Sequence, residues 1–248
     1  MKEDRIYEQN TGHAKSIKLK TLNEIAKSIC KIYATKKHCT GFFLKIYNDQ
    51  KIIYMLITSY QLIPLQLDKM NNEIKIIQKS ENINQKIALN NNERKIVYLK
   101  DKDITAIEIL EKDNLINKVK FLNYDSNCKI NDYGNYLDID TFIMHYPKEE
   151  YLECNSGKII FIKSPKEFQF HHTLDTDEGS SGSPILLFEN LDEEPKVIGV
   201  NTSFVFGNKY NIGTFIDTLI DTVIDSIEDK KNEDFQINMN SINEINNF

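Results

Sequence analysis

Apolar residues in this chain fall in short runs separated by polar, Asn-rich connections. Ile29-Cys30-Lys31-Ile32-Tyr33 alternates. Gly41-Phe42-Phe43-Leu44-Lys45-Ile46-Tyr47 follows, then an Asn48-Asp49-Gln50 turn and Ile52 to Thr58. Ile74–Ile77, Lys86–Leu89, Lys95–Leu99 and Ile104–Ile109 complete a first group. A second group comprises Thr141–His145, Lys158–Ile162, Phe168–His171, Ile185–Phe188, Val197–Val200 and Ile212–Ile216. Runs this short, this closely spaced and this rich in β-branched and aromatic residues predict strands of a barrel or sandwich. Two stretches have helical spacing instead. Thr21-Leu22-Asn23-Glu24 reads as a Thr cap with Glu three positions on, and Leu22, Ile25, Ala26 and Ile29 supply an apolar face. Residues 218–227 predict a C-terminal amphipathic helix.

The polar stretches set the expected boundaries. Residues 1–20 read as a flexible N-terminal arm, 21–115 as a first β-barrel and 116–137 as a linker. Residues 138–230 read as a second barrel with its helix, and the Asn-rich 231–248 as a disordered tail.

Composition narrows the function classes. A net charge of -6 argues against nucleic acid as a partner, because neutralising phosphates needs clustered Lys and Arg. No run is long enough for a membrane span, and the polar N-terminus has no apolar signal core. The four cysteines, Cys30, Cys39, Cys128 and Cys154, match no zinc spacing. An intracellular, cytoplasmic chain with free thiols and no metal or cofactor is the expectation.

The stretch Asp175-Thr176-Asp177-Glu178-Gly179-Ser180-Ser181-Gly182-Ser183-Pro184 carries the candidate chemistry. Glycines flanking serines permit a loop that points several backbone N–H groups at one spot, which is what a developing oxyanion needs. A flexible small-residue loop has the same composition.

The order of motifs resembles the chymotrypsin-like (trypsin-like) serine proteases, particularly their disulfide-poor intracellular and bacterial relatives. Thr40-Gly41-Phe42-Phe43 is similar to the GTGFF strand, and Leu56-Ile57-Thr58-Ser59-Tyr60-Gln61-Leu62-Ile63 to the segment that carries the histidine. Asp103-Ile104-Thr105-Ala106-Ile107 resembles the segment with the triad acid. Tyr146-Pro147 with Ser156-Gly157-Lys158-Ile159 is similar to GYP…SGKI, and Gly179 to Pro184 to GxSGxP. Over residues 25–228 the resemblance implies an all-β fold of two six-stranded antiparallel barrels followed by an α-helix.

It also implies roles. Ser181 takes the nucleophile position and Asp103 the acid position, and the backbone N–H groups of Gly179 and Ser181 are the oxyanion donors. Asp175, Thr176, Asn201 and Thr202 fall where the family builds its substrate pocket. Asp175 would favour basic side chains, whereas Thr176 and the loop resemble glutamyl endopeptidases, whose pocket histidine falls at Asn201, so the preference stays open. Ser180 stands where trypsins keep the aspartate that pairs with a cleaved N-terminus, so no such zymogen switch is implied.

The base position is the departure. Gln61 stands where the histidine should be, and a carboxamide takes no proton. Of the five histidines, His13, His38, His145, His171 and His172, the last four lie in or beside the matched segments. The expectation is a peptide- or protein-binding pseudoprotease that holds an extended segment. The alternative is an active endopeptidase using Ser181 and Asp103 with an unconventional base.

Overall fold

The computed structural model describes residues 5–7, 16–34, 37–48, 51–64, 73–90, 92–149, 151–163, 167–190, 193–204 and 210–227. The expected tail 231–248 and His13 lie outside them. A short ribbon comes first: β1 (Arg5–Tyr7) pairs antiparallel with β2 (Ser16–Lys18). The 1–20 arm is therefore tied down in part, and Ile17 is buried. Helix α1 (Leu19–Ala26) runs directly out of β2, so extended Lys18 occupies the cap position. Thr21 lies inside the helix and is not its cap, which corrects the expected start. Glu24 pairs with Lys27 at 2.9 Å instead. Leu22, Ile25 and Ala26 form the buried face, as their spacing predicts.

The first group of runs forms one antiparallel sheet. Its strands are β3 (Ile29–Ala34), β4 (Lys37–Asn48), β5 (Lys51–Ser59), β6 (Glu73–Gln78), β7 (Ile83–Ala88), β8 (Ile96–Leu99) and β9 (Ile104–Glu108). Their order is β7-β6-β3-β4-β5-β9-β8. The sheet curls around Ile32, Phe43, Leu56, Ile74, Ile76 and Ile107. Its other face turns Phe42, Leu44, Ile46, Met55 and Ile57 toward the second half of the molecule. Side chains alternate across a strand, so β4 and β5 are apolar throughout because both of their faces are covered.

The second group contributes β10 (Asn123–Tyr124), β11 (Asp140–His145), β12 (Glu153–Ile162), β13 (Gln169–His172), β14 (Pro184–Leu187), β15 (Lys196–Phe204) and β16 (Asn211–Phe215). The order is β10-β15-β14-β11-β12-β13-β16, and β15 also pairs with β16. Six strands thus close a barrel, with β10 added in parallel to β15. Phe170 and Phe215 meet inside it at 4.5 Å between ring centroids. The expected pair of all-β units is present, each sheet having seven strands where six were expected.

Residues 116–137, the expected linker, are packed. Phe121, Leu122, Cys128, Tyr133 and Tyr136 are buried there, and Leu122 exchanges backbone hydrogen bonds with β4. The stretch looks polar because Asn, Lys and Asp dominate it, and two of its buried residues are tyrosines. Their hydroxyls donate to buried carboxylates, Tyr136 to Asp125 at 2.8 Å and Tyr133 to Asp217. Asp217 also accepts the Thr218 N–H at 2.9 Å in the first turn of helix α2, which spans 217–227. Leu219, Ile220 and Val223 are the buried face of α2. The four cysteines are free thiols. No helix among the described residues is long and apolar enough to cross a membrane.

Candidate active site

The site forms where the loop before β14 docks on β4 and β5. Gly182 has φ +85, and a Cβ there would lie 2.4 Å from the Thr40 carbonyl oxygen and 2.8 Å from the Ser59 nitrogen. Only glycine allows that approach. Thr40 clamps the other end of the loop. Its N–H and its hydroxyl both donate to the Gly179 carbonyl, at 2.8 and 2.9 Å, while its hydroxyl oxygen accepts the Tyr146 N–H at 2.9 Å. Gly179 has φ +90, and a Cβ on it would come within 2.4 Å of His38 Nε2.

Asp103 enters from the start of β9, in the left-handed conformation at φ 53. Its carboxylate accepts the Gln61 N–H at 2.8 Å and the Ser59 hydroxyl at 3.0 Å. Burial raises Asp103 to about 6 against those hydrogen bonds, which pull the other way. Gln61 is exposed just past the end of β5, and its carboxamide makes no hydrogen bond among the described residues. So Asp103 holds the backbone at Gln61, and no imidazole bonds to its carboxylate among the described residues.

Ser181 is half-buried, and its hydroxyl donates to the Thr202 carbonyl at 3.5 Å. No histidine nitrogen bonds to it among the described residues. The histidines have other places. His172 is fully buried against Asn201 at 3.2 Å, and burial lowers it to about 4. His171 stacks on Tyr210 at 4.0 Å between centroids. His145 lies beneath the loop, its Nδ1 2.7 Å from the Ser180 hydroxyl. The Asn155 amide donates both to His145 Nε2 at 3.1 Å and to the Asp175 carbonyl at 3.3 Å. Nε2 is therefore an acceptor, and the proton of the neutral ring sits on Nδ1, donating to Ser180. Burial holds His145 down to about 4.

The expected substrate-pocket residues separate into two groups. Asn201 and Thr202 belong to the Ser181 neighbourhood: Asn201 donates to the Ser180 carbonyl at 3.0 Å, and Thr202 receives the Ser181 hydroxyl. Asp175 and Thr176 instead line a cavity of about 350 Å³ with His145, Lys148, Glu153 and Asp177. Ser59, Thr40 and Asn155 carry no sequence signal of their own. His145 is marked by replacing the glycine of the family's GYP.

The loop's amides complete the geometry. The N–H groups of Asp177, Glu178, Ser180, Gly182 and Ser183 all donate within the loop or to Asn201. Those of Gly179 and Ser181 donate to nothing among the described residues.

Two sheets, the second a closed barrel, with a helix behind and this loop between them make up the chymotrypsin-like fold of the trypsin-like serine proteases. Solved structures share it. The Rv3671c protease of M. tuberculosis, in an inactive form, is 13% identical, with 82% of this chain and 90% of that one covered at a TM-score of 0.55. Deg5 is 19% identical, with 82% and 90% covered at 0.55. The serine endoprotease from Yersinia pestis is 12% identical, with 85% and 66% covered at 0.57. No protein-family model and no curated protein sequence matches the chain.

Proposed function

We propose that this chain is a serine-peptidase-fold module that binds an extended peptide or protein segment, with catalysis impaired or absent. One observation supports this most directly. The base position is occupied by Gln61, and no histidine nitrogen reaches Ser181 among the described residues. Without a base the serine keeps its proton, and loss of one triad member costs about 10⁴ to 10⁶ in turnover. Binding needs no base: a strand laid along the cleft is held by backbone hydrogen bonds and side-chain pockets.

The second reading is an active endopeptidase with an unconventional base. It draws on His38 beside Gly179 and on Asp103, raised to about 6. Fluorophosphonate labelling of the wild type, Gln61→His and Ser181→Ala separates the two. The module reading expects label only on Gln61→His. Label on wild-type Ser181 would overturn it and establish a working nucleophile.

A further inference from the structure

The outer face of the first sheet carries a row of side chains outside the candidate site. Ile32, Cys39, Ile76 and Ile87 point into the core of that sheet. Side chains alternate across a strand, so Tyr33, His38, Lys75 and Lys86, each next in sequence to one of them, lie on the outside. The register sets these four abreast: His38 opposite Tyr33, Tyr33 opposite Lys75, and Lys75 opposite Lys86. The row therefore crosses β4, β3, β6 and β7 in turn. It starts at the loop before β14, because His38 packs on Gly179. The Tyr33 ring comes next, 5.7 Å from the His38 ring between centroids. The row ends in a cavity of about 510 Å³ lined by Tyr33, Glu73, Lys75, Ile77 and Lys86.

Lys75 and Lys86 are direct cross-strand partners, and like charges placed opposite one another cost stability. One acid in the cavity wall answers them: Glu73 pairs with Lys86 at 2.9 Å. Lys75 has no hydrogen bond or ion pair among the described residues. The cavity wall thus keeps one positive charge in excess, on a chain whose net charge is -6. Tyr33 and Ile77 supply its apolar part. A carboxylate on a short aliphatic stem complements this wall, with its oxygens between the two ammonium groups and its methylenes on Ile77 and Tyr33. Three strand spacings of about 4.8 Å separate His38 from Lys86, the span of about four residues of extended chain.

We propose that this row is a docking track for the bound peptide, selecting an acidic side chain about four residues beyond the one seated at His38 and holding it between Lys75 and Lys86. The proposal rests on the peptide-binding reading above and adds which side chain is chosen and where it sits. It also accounts for the paired lysines: the ligand's carboxylate relieves a repulsion that Glu73 answers on one side alone.

The test uses the full chain, ¹⁵N-labelled, and two pools of N-acetylated, C-amidated dodecapeptides. Every third residue is Glu in one pool and Gln in the other, and the rest are randomised over uncharged residues. The Glu pool is expected to bind about fivefold more tightly and to move the amide signals of Lys75, Lys86, His38 and Gly179 together. Lys75→Gln removes an ammonium that bonds to nothing among the described residues, so the fold is retained. It should cut the Glu pool's advantage to about twofold or less. Lys51→Gln makes the same charge change at the other end of β4, opposite Asn48, and should leave the advantage intact. Equal binding of the two pools overturns the docking track and leaves the peptide-binding reading standing. Binding of neither pool overturns both. An equal loss in Lys51→Gln overturns the track, because overall charge would then govern the preference. Shifts at Lys75 and Lys86 without shifts at His38 and Gly179 also overturn it, because acids would then bind apart from the cleft.

Discussion

On the wall of the cleft formed by β5 and β9, Asp103 is held by the Ser59 hydroxyl and the Gln61 N–H, yet the side chain it would orient is a carboxamide. On the opposite wall, the loop before β14 is held by Thr40, Asn201, Ser183 and the Ser180–His145 bond, and its Gly179 and Ser181 amides have no acceptor among the described residues. The first wall has its carboxylate bonded to the backbone at Gln61. The second keeps both scaffold and donors. The difference separates two capacities, taking a proton and holding an oxygen atom, because the two rest on different groups. A side chain supplies the first and backbone amides supply the second.

The largest expected effect attacks the first wall. On the binding-module reading, Gln61→His should raise fluorophosphonate labelling of Ser181 by about 10³-fold or more, since a triad without one member loses about 10⁴ to 10⁶. Measured against Gln61→His with Ser181→Ala, an absent rise would show that the walls are not in register.

Next comes their interlock. Gly182→Ala places a Cβ 2.4 Å from the Thr40 carbonyl at φ +85, and should destabilise the protein by roughly 2–5 kcal/mol in urea unfolding. A cost below about 1 kcal/mol would mean that the loop docks on β4 more loosely than the structure has it.

The walls should also titrate in opposite senses. Asp103 has a folded value of about 6 against an ordinary 3.8, so between those pH values the folded chain holds the extra proton. Stability from this group falls as pH rises through that window, by about 3 kcal/mol in all. His145 has a folded value of about 4 against 6.5, so here the unfolded chain holds the extra proton. Stability from His145 falls as pH drops from 6.5 to 4, by a similar amount, about 3 kcal/mol. Asp103→Asn should therefore steepen the loss of stability on acidification between pH 6 and 4, and His145→Gln should flatten it. Parallel profiles for the two variants would contradict the opposed burial.

The smallest effect is expected at the clamp. Thr40→Val leaves the Tyr146 N–H without its acceptor and should cost about 1–3 kcal/mol, with little change in peptide affinity.

Much of the fold was legible because each wall is built from strands with local patterns. β4 and β5 announce themselves as apolar runs, and 218–227 as a helix by its spacing. The start of α1 was misplaced because a cap rule saw Thr21 while burial of Ile17 and pairing with β1 began the helix at Leu19. The packing of residues 116–137 was not legible because Asn, Lys and Asp dominate the stretch and Tyr133 and Tyr136 bury their rings only by donating their hydroxyls to Asp217 and Asp125.

For the site, the sequence by itself determined which residue types stand at Ser181, Asp103 and Gln61, and that a carboxamide cannot accept a proton. Those are properties of side-chain chemistry and motif order. Only the tertiary structure decided that Ser59 caps Asp103, that His145 holds Ser180, and that Asn155 donates to the Asp175 carbonyl. Each of those contacts joins residues 20 or more positions apart. Such pairings depend on how strands register and loops dock, and no local pattern of residues encodes that.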